Sequence, residues 1–154
     1  MIFKPSRVYL VASEAEGITP LNAFDNALMR VGLADLNLVK VSSVFPPHCE
    51  LADSVEVPPG SVVPCVYTSF VGRERGERIA AAISLGIPGD SSKAGVVMEF
   101  SGNVSSVDAR TEAERMVVDA MKRRSVGAYV TKSAHAEHEV ESCGCVIAAL
   151  LLLP

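Results

Sequence analysis

"CVIAALLLLP", residues 145–154, is the stretch whose reading decides the fold. From Cys145 to Leu153 it offers nine apolar residues in succession. That resembles a membrane segment, but a spanning helix needs about 20 such residues. The run therefore reads as a buried strand. Side chains of a strand alternate between its two faces, so a strand apolar at every position has no solvent side. The sheet that holds it must be covered on both faces.

The rest of the chain supplies the partners and the covers. "RVYLVAS" (7–13) reads as a first strand closed by Gly17, and "LNLVKVS" (36–42) as the next. "SVVPCVYTSFV" (61–71) and "AGVVMEF" (94–100) are further extended segments. "RIAAAISLGI" (78–87) is buried by composition, but its alanines leave strand and helix both open. "GAYVTKSAHAEHEVE" (127–141) and "CGCVIAALLLL" (143–153) close the chain as two strands, with a hairpin expected about Ser142–Gly144.

Two helices lie far apart among them. In "TPLNAFDNALMRVG" (19–32), Thr19 is the N-cap, Pro20 the first helical residue and Gly32 the stop, with an apolar stripe of Leu21, Phe24, Leu28 and Val31. The second begins at Ser105 or Ser106, with Asp108 completing a capping box from Ser105. Ala113, Met116, Val117, Ala120 and Met121 give its 3.6-residue period, and Lys122, Arg123 and Arg124 suit its negative end. Many strands with two distant helices define an α+β fold in which helices cover sheet faces.

Composition narrows the function. The chain has 154 residues, 49% of them hydrophobic and none of them Trp, enough for one domain (1–154) with an aliphatic core. Its net charge is −4, and no basic tract exceeds Lys122-Arg123-Arg124, which argues against nucleic acid as a partner. No signal peptide or membrane span is read at the N-terminus, and Cys49, Cys65, Cys143 and Cys145 show no disulfide or zinc spacing. Buried thiols in a reducing cytoplasm are expected. His135, His138 and Glu139 match no metal motif, and in a strand His135 and His138 face opposite sides, so no metal site is expected. "GRERGER" (72–78) reads as a charged turn, and none of the five lysines sits in a Schiff-base context.

Two carboxylates invite chemistry. Asp25 lies four residues after Leu21 and three before Leu28, on the helical stripe of core residues. It either reaches water at the stripe's edge or meets a cationic ligand. Glu99 follows an apolar strand between Met98 and Phe100. It either reaches solvent at the strand end or is partly buried, with a raised pKa that suits a general acid. A third oddity is "NLVKVSSVFPP" (37–47), a strand that runs into Ser42-Ser43 and then a double proline. The chain has two other serine pairs, Ser91-Ser92 and Ser105-Ser106, so only the surroundings can distinguish this one.

Taken together, "TPLNAFD" (19–25), "NLVKVSSVFPP" (37–47), "PPGSVVP" (58–64), "RIAAAISLGIP" (78–88) and "GVVMEF" (95–100) resemble the pyruvoyl-dependent arginine decarboxylases, in order and spacing, from about Val8 to the Gly144-Cys145 region. The resemblance implies a four-layer αββα sandwich of mainly antiparallel sheets, assembled as trimers or dimers of trimers with active sites between neighbours. It implies that Ser43 attacks the Ser42 carbonyl, that the resulting ester eliminates, and that residue 43 becomes a covalent pyruvoyl group. The chain would then consist of a β fragment, 1–42, and an α fragment, 43–154. The ketone would replace pyridoxal phosphate, forming a Schiff base with L-arginine and releasing CO2 and agmatine. Glu99 would return the proton, Asp25 would bind the guanidinium as a carboxylate fork, and Asn37 would assist processing. Asn37 lies an odd number of residues from Ser42, so a twist, a bulge or a partner subunit has to bring them together. Two alternatives stand beside this: a pyruvoyl enzyme for another amino acid, and an unprocessed, non-catalytic trimer that binds a small cationic ligand.

Overall fold

The closing apolar run is a strand at the centre of a sheet. The computed structural model describes residues 2–154. Its elements are β1 (Arg7–Glu16), α1 (Pro20–Arg30), β2 (Asn37–Lys40), β3 (Val44–Phe45), β4 (Glu50–Ala52), β5 (Val62–Gly72), β6 (Arg78–Pro88), β7 (Gly95–Gly102), α2 (Ser106–Arg124), β8 (Tyr129–Glu139) and β9 (Gly144–Leu153). They form a five-stranded sheet, β2-β5-β9-β1-β4, and a four-stranded sheet, β3-β7-β6-β8. Pairing is antiparallel except for β1 with β4 and β2 with β5. The sheets pack face to face, with α1 on the outer face of the first and α2 on the outer face of the second. This is the expected α+β, four-layer αββα arrangement.

Alternation along the two central strands builds three apolar layers. In β9, Val146, Ala148, Leu150 and Leu152 enter the inter-sheet core, while Ile147, Ala149, Leu151 and Leu153 pack beneath α1. In β6, Ala81, Ile83 and Leu85 fill the inter-sheet layer. Its other face is small: Ala80 and Ala82 meet Ala109 and Ala113 of α2, so helix and sheet approach closely. Gly86 continues that face, and a Cβ there would lie 2.8 Å from Met121 Cγ and 2.9 Å from Val117 Cγ1. The ambiguous Ala-rich segment is therefore a strand, its alanines selected by helix contact.

The helix punctuation falls where the sequence places it. Thr19 Oγ1 accepts from the Asn22 N–H at 3.2 Å, and Ser105 Oγ from the Asp108 N–H at 3.1 Å. Two readings need correction. The expected hairpin about Ser142–Gly144 does not form: β8 is the edge of the four-stranded sheet, whereas β9 is central in the other. β8 has one polar, exposed side and β9 none, so the two belong to different environments and the chain steps between sheets. The α1 stripe is also rotated. Ala23, Ala27 and Leu28 face the sheet, while Leu21 is 75% exposed and Asp25 lies on the solvent side. Small alanines let α1 sit close to β9 and β1, and this turns the larger residues at 21 and 29 outward.

Cys65, Cys143 and Cys145 are buried as free thiols, and burial raises Cys65 to about 12 and Cys145 to about 11. They behave as small core residues. Among the described residues, no helix is long and apolar enough to cross a membrane.

Candidate active site

Ser42 and Ser43 lie where the chain passes from one sheet to the other. The β2 ladder ends at Lys40, with one more bond from the Val41 N–H to the Cys65 carbonyl at 3.1 Å. β3 begins at Val44, which pairs with Val96 of β7. Three residues, Val41 to Ser43, therefore make the crossing. The Val44 N–H donates to the Ser42 carbonyl at 3.1 Å, an i to i+2 bond that closes a γ-turn on Ser43. The Val97 N–H donates to the Ser43 carbonyl, also at 3.1 Å. Pro46 beyond is buried. The pair is thus pinned by both sheets, without a positive φ: among the described residues, the non-glycine ones with a positive φ are His48 and Ser125. The other serine pairs have ordinary duties. Ser92 bonds to Asp90 in an exposed turn, and Ser105 caps α2.

Glu99 stands opposite Ile83 in β7, two residues beyond the inter-sheet Val97, and is half-buried on that same side. Burial lifts its carboxyl above the usual range. The charge of Lys40, its own backbone N–H and the nearby Ser43 hydroxyl oppose this without cancelling it. The β3–β7 pairing thus brings Ser43 and Glu99 together, distant though they are in sequence. Nearby, Thr68 and Ser101 share a hydrogen bond of 2.8 Å across the sheets. The Lys40 ammonium sits 5.1 Å from the Tyr67 ring centre, and Phe24 packs on the same ring at 6.2 Å.

The other two expected residues are placed elsewhere in the chain. Asp25 is exposed on the outer face of α1, and the five-stranded sheet lies between it and Glu99. Leu21 and Met29, one helical turn before and after it, are 75% and 61% exposed. Asn37 opens β2 at the end away from Ser42, about 16 Å along an extended chain. Its side-chain amide donates to the Gly60 carbonyl at 3.0 Å.

A polar cluster that the sequence reading did not assemble ties the two sheets at their far end. His138 of β8 has Nδ1 2.6 Å from Glu14 Oε2 and Nε2 2.8 Å from Glu16 Oε2, both on β1. Glu16 Oε1 accepts from the N–H groups of Glu141, Ser142 and Cys143 at 3.1, 2.7 and 3.2 Å. Arg30 of α1 pairs with Glu14, and Asn26 donates to the Glu16 carbonyl at 2.9 Å. Gly144 is required here, because a Cβ would meet His138 Cδ2 at 2.5 Å and Glu16 Oε2 at 2.6 Å. The available signal was Glu14-x-Glu16, two carboxylates on one face of a strand. His135, on the opposite side of β8, is exposed.

Comparison with known proteins gives the class of protein that this fold and site define. The family profile described as "Pyruvoyl-dependent arginine decarboxylase (PvlArgDC)" matches residues 7–154. A protein of Methanocaldococcus jannaschii named pyruvoyl-dependent arginine decarboxylase is 39% identical over 148 residues, covering 96% of this chain and 90% of that one. Proteins of the same name from Methanothermobacter thermautotrophicus and Thermococcus sibiricus are 38% and 37% identical, each covered over 96% of its own length and covering 96% and 97% of this chain. The chain belongs to the pyruvoyl-dependent arginine decarboxylase family.

Proposed function

We propose that this protein cleaves itself between Ser42 and Ser43 and then decarboxylates L-arginine to agmatine. The observation that carries the reading is the serine pair held at a crossing fixed by both sheets, its Ser43 carbonyl bonded to Val97 and the half-buried Glu99 two residues further along the same face of β7. Ser43 Oγ attacks the Ser42 carbonyl carbon, helped by the Val44 N–H already directed at that oxygen. The peptide C–N bond breaks and an ester forms. Elimination then removes the Ser43 Cα proton and breaks Cβ–Oγ, so that the Oγ departs with the Ser42 carboxylate. Glu99 is the base at hand, and a carboxylate raised by burial is a stronger one. Water enters and ammonia leaves, giving the pyruvoyl group on the α fragment (43–154) beside the β fragment (1–42).

The residues present fit that group, since its precursor has its carbonyl held by Val97, with Glu99 nearby on the same face of β7. The pyruvoyl group supplies a ketone for the substrate's α-amine and a conjugated carbonyl that takes up electrons as CO2 leaves. Glu99 returns a proton to the α-carbon. Asp25 receives the guanidinium of a substrate held by a neighbouring copy. Its exposure between the exposed Leu21 and Met29 supports an outer face of α1 that meets another subunit, in a trimer or a dimer of trimers. Asn37 reaches a processing site by the same route. The chemistry calls for neither pyridoxal phosphate nor a metal, and the free thiols suit a cytoplasmic setting.

Intact-mass measurement tests the reading. Two fragments should sum to about 1 Da above the full chain, against about 18 for hydrolysis. Agmatine should appear from arginine, and Ser43→Ala should stay one chain. An uncut wild-type chain, or fragments heavier by a whole water, would sink the proposal.

A further inference from the structure

We propose that the backbone N–H of Val97 stabilises the negative charge that gathers on the carbonyl oxygen of residue 43 when Ser43 loses its α-proton. The inference rests on the function proposed above. In the elimination, the Cα–H pair becomes the Cα=Cβ bond, the proton passes to Glu99, and the Cβ–Oγ pair leaves with the Ser42 carboxylate. A C–H beside an amide is a very weak acid, so charge must move onto the adjacent carbonyl oxygen as the proton departs. That oxygen is Ser43's own, and the Val97 N–H reaches it at 3.1 Å.

The donor is held in place before the charge appears. Val97 is fully buried and pairs with Leu85 of β6, while its neighbour Val96 pairs with Val44. A donor fixed in a water-poor site gains strength as its acceptor becomes anionic and needs no reorganisation. The two amides at the crossing therefore divide the work. The Val44 N–H faces the Ser42 oxygen and serves the acyl shift, and its acceptor departs with the β fragment. The Val97 N–H faces an oxygen that stays, because the bond between residues 43 and 44 is never cut. The same oxygen takes up electrons during turnover, so one amide serves maturation and catalysis alike.

The test replaces Val97 with its α-hydroxy acid analogue, which keeps the side chain and substitutes oxygen for N–H. The same replacement at Val96 is the control for the altered backbone. Loss of the Val97 donor should slow fragment formation by about 10²-fold relative to the control. It should also cause the ester between residues 42 and 43 to accumulate, seen as hydroxylamine cleavage at that site by fragment mass. Turnover per processed chain should fall with KM unchanged. Processing at the control's rate without ester accumulation overturns the inference. If the variant does not fold, a carbonyl-13C serine label in the wild type, read as an infrared difference against Ser43→Ala, decides. A band at lower frequency than an unbonded amide supports the donor, and an unshifted band overturns it. A wild-type chain that stays uncut removes the function and this inference together. A wild-type chain that cuts, beside an indifferent Val97 variant, removes this inference alone.

Discussion

Glu16→Ala should destabilise the protein by about 2–4 kcal/mol, although the residue lies far from the serine pair. The wild-type carboxylate accepts three backbone N–H groups on one oxygen and meets His138 on the other. Glu141 and Ser142 are exposed, so their amides can turn to water once the carboxylate is gone. Cys143 is buried, and a buried orphan donor costs about 1–3 kcal/mol. His138 keeps Glu14 but loses its second partner, a partly buried hydrogen bond worth roughly another 1 kcal/mol. For a chain of this size the melting temperature should fall by roughly 4–16 °C, measured by calorimetry at one fixed protein concentration.

The loss should also depend on pH. Burial raises the Glu16 carboxyl, but the Ser142 N–H, then His138 and the Cys143 N–H, outweigh it and hold the group below the ordinary carboxylate range. A depressed folded-state pKa contributes stability that is complete above the unfolded value, near 4.5, and is lost as pH falls through the folded one. The gap between wild type and variant should therefore be full at neutral pH and shrink in acid. A variant that melts within about 1 °C of wild type at pH 7, or a gap that widens in acid, would refute the reasoning.

Glu99→Gln should lower turnover per processed chain by about 10²–10⁴-fold. With Glu99 as the proposed donor, active when protonated, the wild-type rate should decline as pH rises through the elevated Glu99 pKa, and the variant's pH profile should lack that limb. Asp25→Asn should raise the KM for arginine by about 10- to 150-fold while leaving self-cleavage intact, the worth of one charge-assisted contact. Gly86→Ala should cost about 1–3 kcal/mol in urea unfolding, because the added methyl collides with Met121 and Val117 beneath α2.

What could be read from the chain beforehand follows from physics. β9 was legible because nine apolar residues in a strand admit only a sheet covered twice. β6 was not, since its alanines fit a helix core as well as a strand pressed by a helix, and only the contact with Ala109 and Ala113 decides. The mistaken hairpin had a similar cause. A short link between two strands argues for pairing, but the polar edge of β8 and the apolar centre of β9 require different sheets. Ser43 and Glu99 were singled out through the family resemblance, whereas their proximity depends on β3 pairing with β7, a long-range event that no local pattern records. Asp25 was read onto the core stripe because Leu21 and Leu28 outweigh alanines in any hydrophobic count, yet closeness to the sheet selects Ala23 and Ala27.

The placement of the crossing has one more consequence. Residues 1–42 contribute β1, α1 and β2, and β1 lies between β9 and β4 while β2 borders β5, so each borrowed neighbour comes from residues 43–154. Severing the chain at the seam would leave every rung of these three ladders intact. The smaller piece would stay threaded through its host, unable to escape until the host itself came apart. Scission here would create two new ends without creating two molecules.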